Sequence, residues 1–181
     1  MEIINLFLQL IYFSLPIYIS NMTPVLVKKV DFLSFPIDFG IKWKGNYLFG
    51  KTKTVRGIFF GTVFGIITVF LQYLLYNLSF FNSISIISYQ SVSIILLGFS
   101  LGFGAMFGDL IESFFKRRLD MKSGERFFPF DQIDFVIGSM IFSYVFLPNI
   151  LYWALIIFIS PFLHILANYI GYFFKMQDSP W

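Results

Sequence analysis

The chain has 181 residues, of which 57% are hydrophobic, 22% aromatic and 13% charged, with a mean hydropathy of +0.78 and a formal net charge of +3. Soluble domains carry about a quarter charged residues, so this composition points to a bilayer as solvent, and residues 1–181 fit one domain of a few spans with no separate soluble catalytic domain. The lack of cysteine excludes disulfides, thiolate catalysis and zinc–thiolate sites, and a single histidine, His164, excludes a histidine-rich metal centre.

Ile3 to Ser20 is apolar over the roughly 18 to 20 residues that a span requires. The start, Met1-Glu2, lacks the basic residues of a signal peptide, and no Lys or Arg precedes Lys28. It reads as a retained helix that stops at Asn21 to Pro24. Val25 to Arg56 is a polar loop with Lys28, Lys29, Lys42, Lys44, Lys51, Lys53 and Arg56, and Pro36, Gly40, Gly45 and Gly50 mark it as irregular or as short strands. Gly45 to Thr52 spells G-x-x-x-x-G-K-T, the phosphate-loop pattern. That pattern works only between a strand and a helix of a parallel sheet, for which this loop is too short, so the match is read as chance. What remains is a group of cations, Lys51, Lys53 and Arg56, just ahead of a helix N-terminus, where anions are favoured.

Gly57 to Tyr76 forms a second span, with Gly57, Gly61 and Gly65 at every fourth position, a stripe that favours close helix packing. Asn77 to Gln90 carries no charge and reads as a short connection. From Ser91 the chain is apolar to Phe107 and amphipathic to Arg118. As one helix this is about 40 Å, longer than the roughly 30 Å hydrocarbon core, so it delivers Asp109 to Arg118 at the membrane border. Gly98/Gly102 and Gly104/Gly108 add two more small-residue pairs. Lys116 to Asp131 is a second polar loop, with Lys116, Arg117, Arg118, Lys122 and Arg126. Ile133 to Leu147 makes a short fourth span, and Ile150 to Phe174 a fifth with Pro161 inside it; His164 and Asn168, four apart there, read as packing residues. The predicted fold is an all-α integral membrane protein of about five transmembrane helices with two charged cytosolic loops. Five spans put both loops and the tail on one side, and together these hold all thirteen basic residues. The positive-inside rule then places the N-terminus outside and the C-terminus in the cytosol.

The stretch from Gly108 to Asp134 concentrates the acids: Asp109, Glu112, Asp120, Glu125, Asp131 and Asp134. On a helix Asp109, Glu112, Ser113 and Lys116 share one face, and Asp131 and Asp134 are one turn apart. Carboxylates suit a hard cation such as magnesium, and lysine and arginine neutralise phosphate. A phosphorylated substrate reaches such a border from the cytosol while a lipid arrives sideways. The residues by themselves point to a magnesium-dependent phosphate enzyme of lipid metabolism. The competing class, a transporter or lipid-binding protein, calls for charges midway through spans and internal repeats, and neither is evident.

Ser113, Lys116, Arg117 and Lys122, followed by Asp131 and Asp134, resemble the signature of the integral-membrane CTP-dependent cytidylyltransferases that make CDP-activated lipids. The chain departs from the diacylglycerol enzymes at Ser123, at Gln132 where arginine is usual, and in having no His-Gly-Gly before the acids. In these departures, and in Asn21 to Pro24, Pro36 to Gly40, Gly50 to Gly57 and Gly108-Asp109, it resembles the CDP-archaeol synthase branch over nearly its whole length. The resemblance implies transfer of a cytidylyl group from CTP to an archaeal ether lipid phosphate, 2,3-di-O-geranylgeranylglyceryl phosphate, with a diacyl phosphatidate as the alternative acceptor. It implies Mg2+ on Asp109, Asp131 and Asp134, phosphates on Lys53, Thr54, Arg56, Lys116, Arg117 and Lys122, and Ser113 orienting a phosphate oxygen or a metal-bound water, with Asp38 a further candidate. The implied partners are CTP, a lipid glycerol phosphate and the membrane, with no nucleic acid and with a homodimer left open. A CDP-alcohol phosphotransferase is set aside because its aspartate-rich D-G-x-x-A-R pattern is missing.

Overall fold

Long apolar runs bury their backbone polar groups by closing them into helices, the only open-ended element a bilayer tolerates. The computed structural model describes residues 2–122 and 124–173. In it four helices are long and apolar enough to cross a membrane: α1 (Glu2–Leu26), α2 (Val55–Leu75), α4 (Ile94–Arg118) and α6 (Ile150–Phe173). A one-turn helix, α3 (Ser79–Ser83), lies in the uncharged connection, and α5 (Asp134–Ser143) is the short fourth apolar element. At 10 residues α5 is about 15 Å long, half of a hydrocarbon core, and the chain then turns to enter α6 at Ile150. Phe174, predicted to end the fifth span, the tail from Lys175, and Ser123 lie outside the described residues.

The first helix does not stop at Asn21 to Pro24 but runs through Pro16 and Pro24 to Leu26. Proline at 16 cannot bond the Tyr12 carbonyl, and a buried amide from the neighbouring helix does so instead: Gln72 Nε2 donates to Tyr12 O at 2.5 Å. Gln72 is completed by Tyr89, whose hydroxyl donates to Oε1 at 3.0 Å. Further along, Ser20 and Thr23 hydroxyls return to the Pro16 and Ile19 carbonyls at 2.7 Å each.

Helix α4 is the axis of the bundle, and small residues set its distance to each neighbour. A Cβ on Gly65 of α2 would lie 2.7 Å from Gly102 Cα, and one on Gly98 would lie 2.6 Å from Ile66 Cα. Against α5 the approach is closer still: a Cβ on Gly108 would lie 2.1 Å from the Asp134 carbonyl oxygen, and one on Gly138 would lie 2.2 Å from Gly104 O. Ser139 fastens the crossing, its hydroxyl donating to Leu101 O at 2.9 Å. Phe13, Phe135, Leu97, Leu101 and Trp153 fill the apolar centre between these contacts.

The first polar loop is ordered by one carboxylate. Asp38, 3% exposed, accepts the backbone N–H groups of Gly40, Phe49 and Gly50 at 3.0, 3.1 and 3.3 Å. Inside this loop β1 (Lys42–Trp43) and β2 (Asn46–Tyr47) pair as a two-residue hairpin. Lys44 and Gly45 both have positive φ there, 52° and 89°, as a tight primed turn requires. Gly45 of the apparent phosphate loop is therefore a hairpin turn. The hairpin docks on the end of α4: Arg118 donates to the carbonyls of Trp43, Asn46 and Tyr47 at 2.7, 3.4 and 2.8 Å. Its guanidinium lies 5.2 Å from the ring centres of both Trp43 and Phe114. Asn46 Nδ2 answers with bonds to Arg117 O at 3.1 Å and Asp120 Oδ1 at 2.6 Å.

Candidate active site

The Gly108–Asp134 contact brings the start of α5 against the polar end of α4, so Asp134 meets the acids that sequence spacing aligned on that helix. Carboxylate oxygens of Asp109, Glu112 and Asp134 all lie within 4.8 Å of one another. Three hard oxygen donors at this spacing form a set that a divalent cation fits. Asp134, the first residue of α5, also has Oδ1 accepting the N–H of Phe135 at 2.7 Å, and an acid in the first helical turn is favoured.

Two lysines balance these charges. Lys53, two residues before α2, places Nζ 2.6 Å from both oxygens of Asp109. Burial acts to lower its pKa, but the charge and hydrogen bonds of Asp109, with Asp134 and Glu112 behind it, carry it above the ordinary lysine value. Lys116 forms an ion pair with Glu112 Oε1 at 2.8 Å, one turn back on α4, and donates a hydrogen bond to Asp131 Oδ1. Asp131 sits in a one-turn 3-10 segment, Phe130–Gln132, and its other oxygen accepts the Phe127 N–H at 2.6 Å. Burial acts to raise the Asp131 pKa, and the side chains of Glu112 and Lys116 with the Phe127 N–H outweigh it, leaving the carboxyl below its usual value.

Two cavities meet at this cluster. A polar one of about 400 Å³ is lined by Lys53, Asp109, Lys116, Asp131 and Asp134 together with Asn21, Gln132, His164 and Asn168. An apolar groove of about 480 Å³ runs between α4 and α5, walled by Ile111, Phe115, Ile133, Ile137 and Ile141, with Glu112 and Asp134 on its lining. Asp134 is common to both.

Of the residues that sequence reasoning proposed, Lys53, Asp109, Lys116, Asp131 and Asp134 thus come together. Asp131 stands with Lys116 and outside the acid triad, and Glu112 stands in the triad. The i, i+3 spacing from Asp109 carried the signal for Glu112. The other candidates serve the loops. Thr54 caps α2, accepting the Gly57 N–H at 3.2 Å, and Arg56 donates to the Val30 carbonyl. Arg117 donates to the carbonyls of Met121 and Lys122 at 2.6 and 3.3 Å, and the Lys122 N–H is held by Glu125 Oε2 at 2.7 Å. Ser113 is buried, and Asp38 is spent on the backbone of its own loop. Asn21, Gln132, His164 and Asn168, which pattern reasoning assigned to packing, to a helix stop or to family difference, line the polar cavity.

Charge gathered where a polar cavity adjoins an apolar groove, within a bundle of membrane-length helices, is the arrangement of an intramembrane enzyme. Similarity to known proteins narrows this. A family model described as CarS-like, CDP-archaeol synthase, matches residues 3–181. The CDP-archaeol synthase of Thermococcus onnurineus is 38% identical over 174 residues, 94% of each chain, and that of Methanococcus maripaludis strain C7 is 34% identical over the full length of both. A solved structure of an intramembrane enzyme for archaeal membrane lipids biosynthesis superposes with a TM-score of 0.69 at 27% identity, covering 87% of this chain and 91% of the other. The chain belongs to the CDP-archaeol synthase family.

Proposed function

We propose that this chain transfers the cytidylyl group of CTP to an archaeal-type ether lipid glycerol phosphate, giving a CDP-lipid and pyrophosphate for membrane phospholipid synthesis. Asp134 carries the reading, because it belongs to the acid triad and lines both the polar cavity and the apolar groove. The polar cavity takes the nucleotide and the groove takes a prenyl chain, so the two phosphates meet beside Asp134. A lipid phosphate oxygen attacks the α-phosphorus of CTP, the new P–O bond forms, and the bond to the β-phosphate oxygen breaks with pyrophosphate leaving. The nucleophile is an oxygen already ionised at neutral pH, so no side chain has to remove a proton. The barrier lies in bringing two anions together, and the residues serve to neutralise and align them.

Lys53 and Lys116 supply the cations on the protein's side, each free to exchange its carboxylate for a phosphate oxygen. Asp109, Glu112 and Asp134 would hold the magnesium ion, whose contribution when bound is to draw charge from the phosphates. Asp131 keeps Lys116 aimed at the cavity. Both charged loops face the cytosol in this reading, where CTP is found, with the N-terminus outside.

The test is incubation of the purified protein with labelled CTP, magnesium and a panel of lipid phosphates. The expected product is a CDP-lipid with one pyrophosphate released, formed faster from the unsaturated ether phosphate than from diacyl phosphatidate. No product from either lipid would overturn the activity. Equal or better use of the diacyl lipid would overturn the choice of acceptor alone.

A further inference from the structure

The reaction above uses Lys53 of the first polar loop and leaves the loop's other lysines without a task. Lys28, Lys29, Lys42, Lys44 and Lys51 are all exposed, and among the described residues no carboxylate forms an ion pair with any of them. The loop has two acids, and Asp38 is buried and bound to backbone, so Asp31 alone stands against five lysines. The hairpin holds three of these lysines over its own rings. Lys42 and Lys51 lie 5.0 and 5.6 Å from the Tyr47 ring centre, and Lys44 lies 5.7 Å from that of Trp43. Two ammonium groups gathered over one ring repel each other, and a nearby anion relieves that repulsion. The same loop exposes large apolar side chains, among them Phe39 at 73% and Ile41 at 57%. These continue the exposed surface of the membrane-length helices. Phe32 meets Phe59 and Phe60, in the first turns of α2, at 5.9 and 6.3 Å, and Phe59 is itself exposed. Phe35 O accepts the Val55 N–H at 3.1 Å where that helix starts, and Phe39 stacks on Phe35 at 5.4 Å. On the other flank Trp43 stacks on Phe114 of α4 at 5.8 Å.

We propose that the first loop is an interfacial module: its exposed aromatic and aliphatic side chains sit in the headgroup layer, and its lysines bind the phosphodiester groups of anionic phospholipids. A soluble anion has a use for the lysines alone and leaves Phe39 and Ile41 in water. A bilayer surface takes both kinds of side chain. Aromatic rings suit the headgroup region, and lysine stems lie along apolar surface with the ammonium among the phosphates. The attraction of basic residues to anionic lipids falls off within a Debye length, so the loop must stay close to the surface. The Arg118 bonds to Trp43 and Tyr47 hold the hairpin on the end of α4, and the Phe35–Val55 bond holds the other flank on α2.

The test places a polarity-sensitive fluorophore on Phe39→Cys, in a chain with no other cysteine, with the protein in neutral detergent micelles. Phosphatidylglycerol, phosphatidylcholine and heparin, a soluble polyanion, are titrated separately. None of them is an acceptor for cytidylyl transfer, so the outcome does not depend on the reaction. Phosphatidylglycerol is expected to shift the emission to the blue and to reach half-saturation at least about tenfold below phosphatidylcholine, since each lysine near an anionic surface contributes about fivefold. In the same protein carrying Lys42→Gln, Lys44→Gln and Lys51→Gln the preference is expected to fall to within about threefold. Equal half-saturation with the two lipids, or a preference that survives in the triple variant, would overturn the proposal. Heparin binding with the emission left as in water, beside no response to either lipid, would assign the surface to a soluble polyanion and overturn it as well. Should the triple variant fail to fold, salt decides: raising it from about 0.05 to 0.5 M should reduce the preference at least threefold, and a preference indifferent to salt overturns the proposal.

Discussion

The position of Asp134 depends on a contact that has no room for a methyl group, and Gly108→Ala is the direct way to disturb it. A Cβ at 108 would sit 2.1 Å from Asp134 O, 2.8 Å from Asp134 C and 3.2 Å from Gly138 Cα, all backbone atoms with no rotamer to change. Ordinary contact begins at 3.4 Å, so α4 and α5 must separate by about 1 Å or more at this level. The triad is split across that crossing, with Asp109 and Glu112 on α4 and Asp134 on α5, so the same displacement enters the oxygen–oxygen spacing. Misplacement of about 1 Å is enough for a loss on the order of 10²-fold in rate. The stability cost is smaller: overpacking costs roughly 1–3 kcal/mol, and replacing a helix-interior glycine by alanine returns up to about 1 kcal/mol. The expected outcome is a membrane-inserted protein whose thermal midpoint in detergent falls by a few degrees while CDP-lipid turnover falls about 100-fold. Gly98→Ala is the control, since its Cβ would meet Ile66 Cα at 2.6 Å, ten residues before Gly108 on the same helix. It should lose comparable stability and keep turnover within about threefold. Turnover within threefold of wild type in folded Gly108→Ala, or an equal loss in Gly98→Ala, would refute the link between this contact and the site.

Asp134→Asn should fold and insert, because the asparagine side-chain oxygen can still accept the Phe135 N–H, yet turnover should drop by orders of magnitude and recover only partly with raised magnesium or manganese; near-normal turnover at ordinary magnesium would leave Asp134 a structural residue of the first turn of α5. Glu112→Gln should show the same pattern and weaken Mn2+ binding read by paramagnetic resonance, whereas unaltered Mn2+ binding would remove Glu112 from the cation site. Single cysteines at Lys44, Ser85 and Gly124, in a chain that has none, should react with an impermeant thiol reagent on intact cells at 85 alone; labelling at 44 and 124 instead would invert the topology. Because Asp131 has a lowered folded-state pKa, its pairing with Lys116 contributes fully above the ordinary carboxyl value near 3.9 and is lost as pH falls through the lower folded value. Wild type should therefore gain stability relative to Asp131→Asn as pH rises from about 2 to 5 and hold that margin to pH 7; a margin that shrinks over this interval would contradict the pairing.

The spans were legible because a bilayer imposes a simple requirement, continuous apolarity over a fixed length, and Phe60 to Phe70 or Ile150 to Ile159 meet it whatever their neighbours are. Glycine spacing was legible for the same reason, since close helix approach needs small residues at fixed intervals. The end of α1 was not, because the partner that offsets Pro16 is Gln72, 60 residues away from the carbonyl it serves. In the site, Asp109 and Lys116 followed from helical period, but the choice between Glu112 and Asp131 did not. Both acids bond Lys116, and only the way the Phe130–Gln132 turn approaches α4 decides which of them also reaches Asp134. Arg56 and Arg117, to which the resemblance gave phosphates, bond loop carbonyls, and a sequence does not show where such carbonyls point. Gln132 stood out only as a difference from arginine, because its place in the lining of the polar cavity comes from the turn before α5 and not from any periodicity.

The Arg118 clasp on the hairpin bears on how the chain is built at the ribosome. Its three acceptors, at Trp43, Asn46 and Tyr47, are synthesised 75, 72 and 71 residues before their donor. With synthesis at roughly 5–20 residues per second, the hairpin waits several seconds without its anchor while α2 and most of α4 enter the bilayer. During that interval Lys53 also lacks Asp109, which is made 56 residues later. The nascent first loop is thus a basic, unclasped segment beside the membrane surface, and its bonds to Asp109, Arg117 and Arg118 form only when α4 has been delivered. Completion of the third long helix converts a tethered loop into one wall of a catalytic chamber, so a ribosome stalled before residue 109 leaves an inserted but inert fragment.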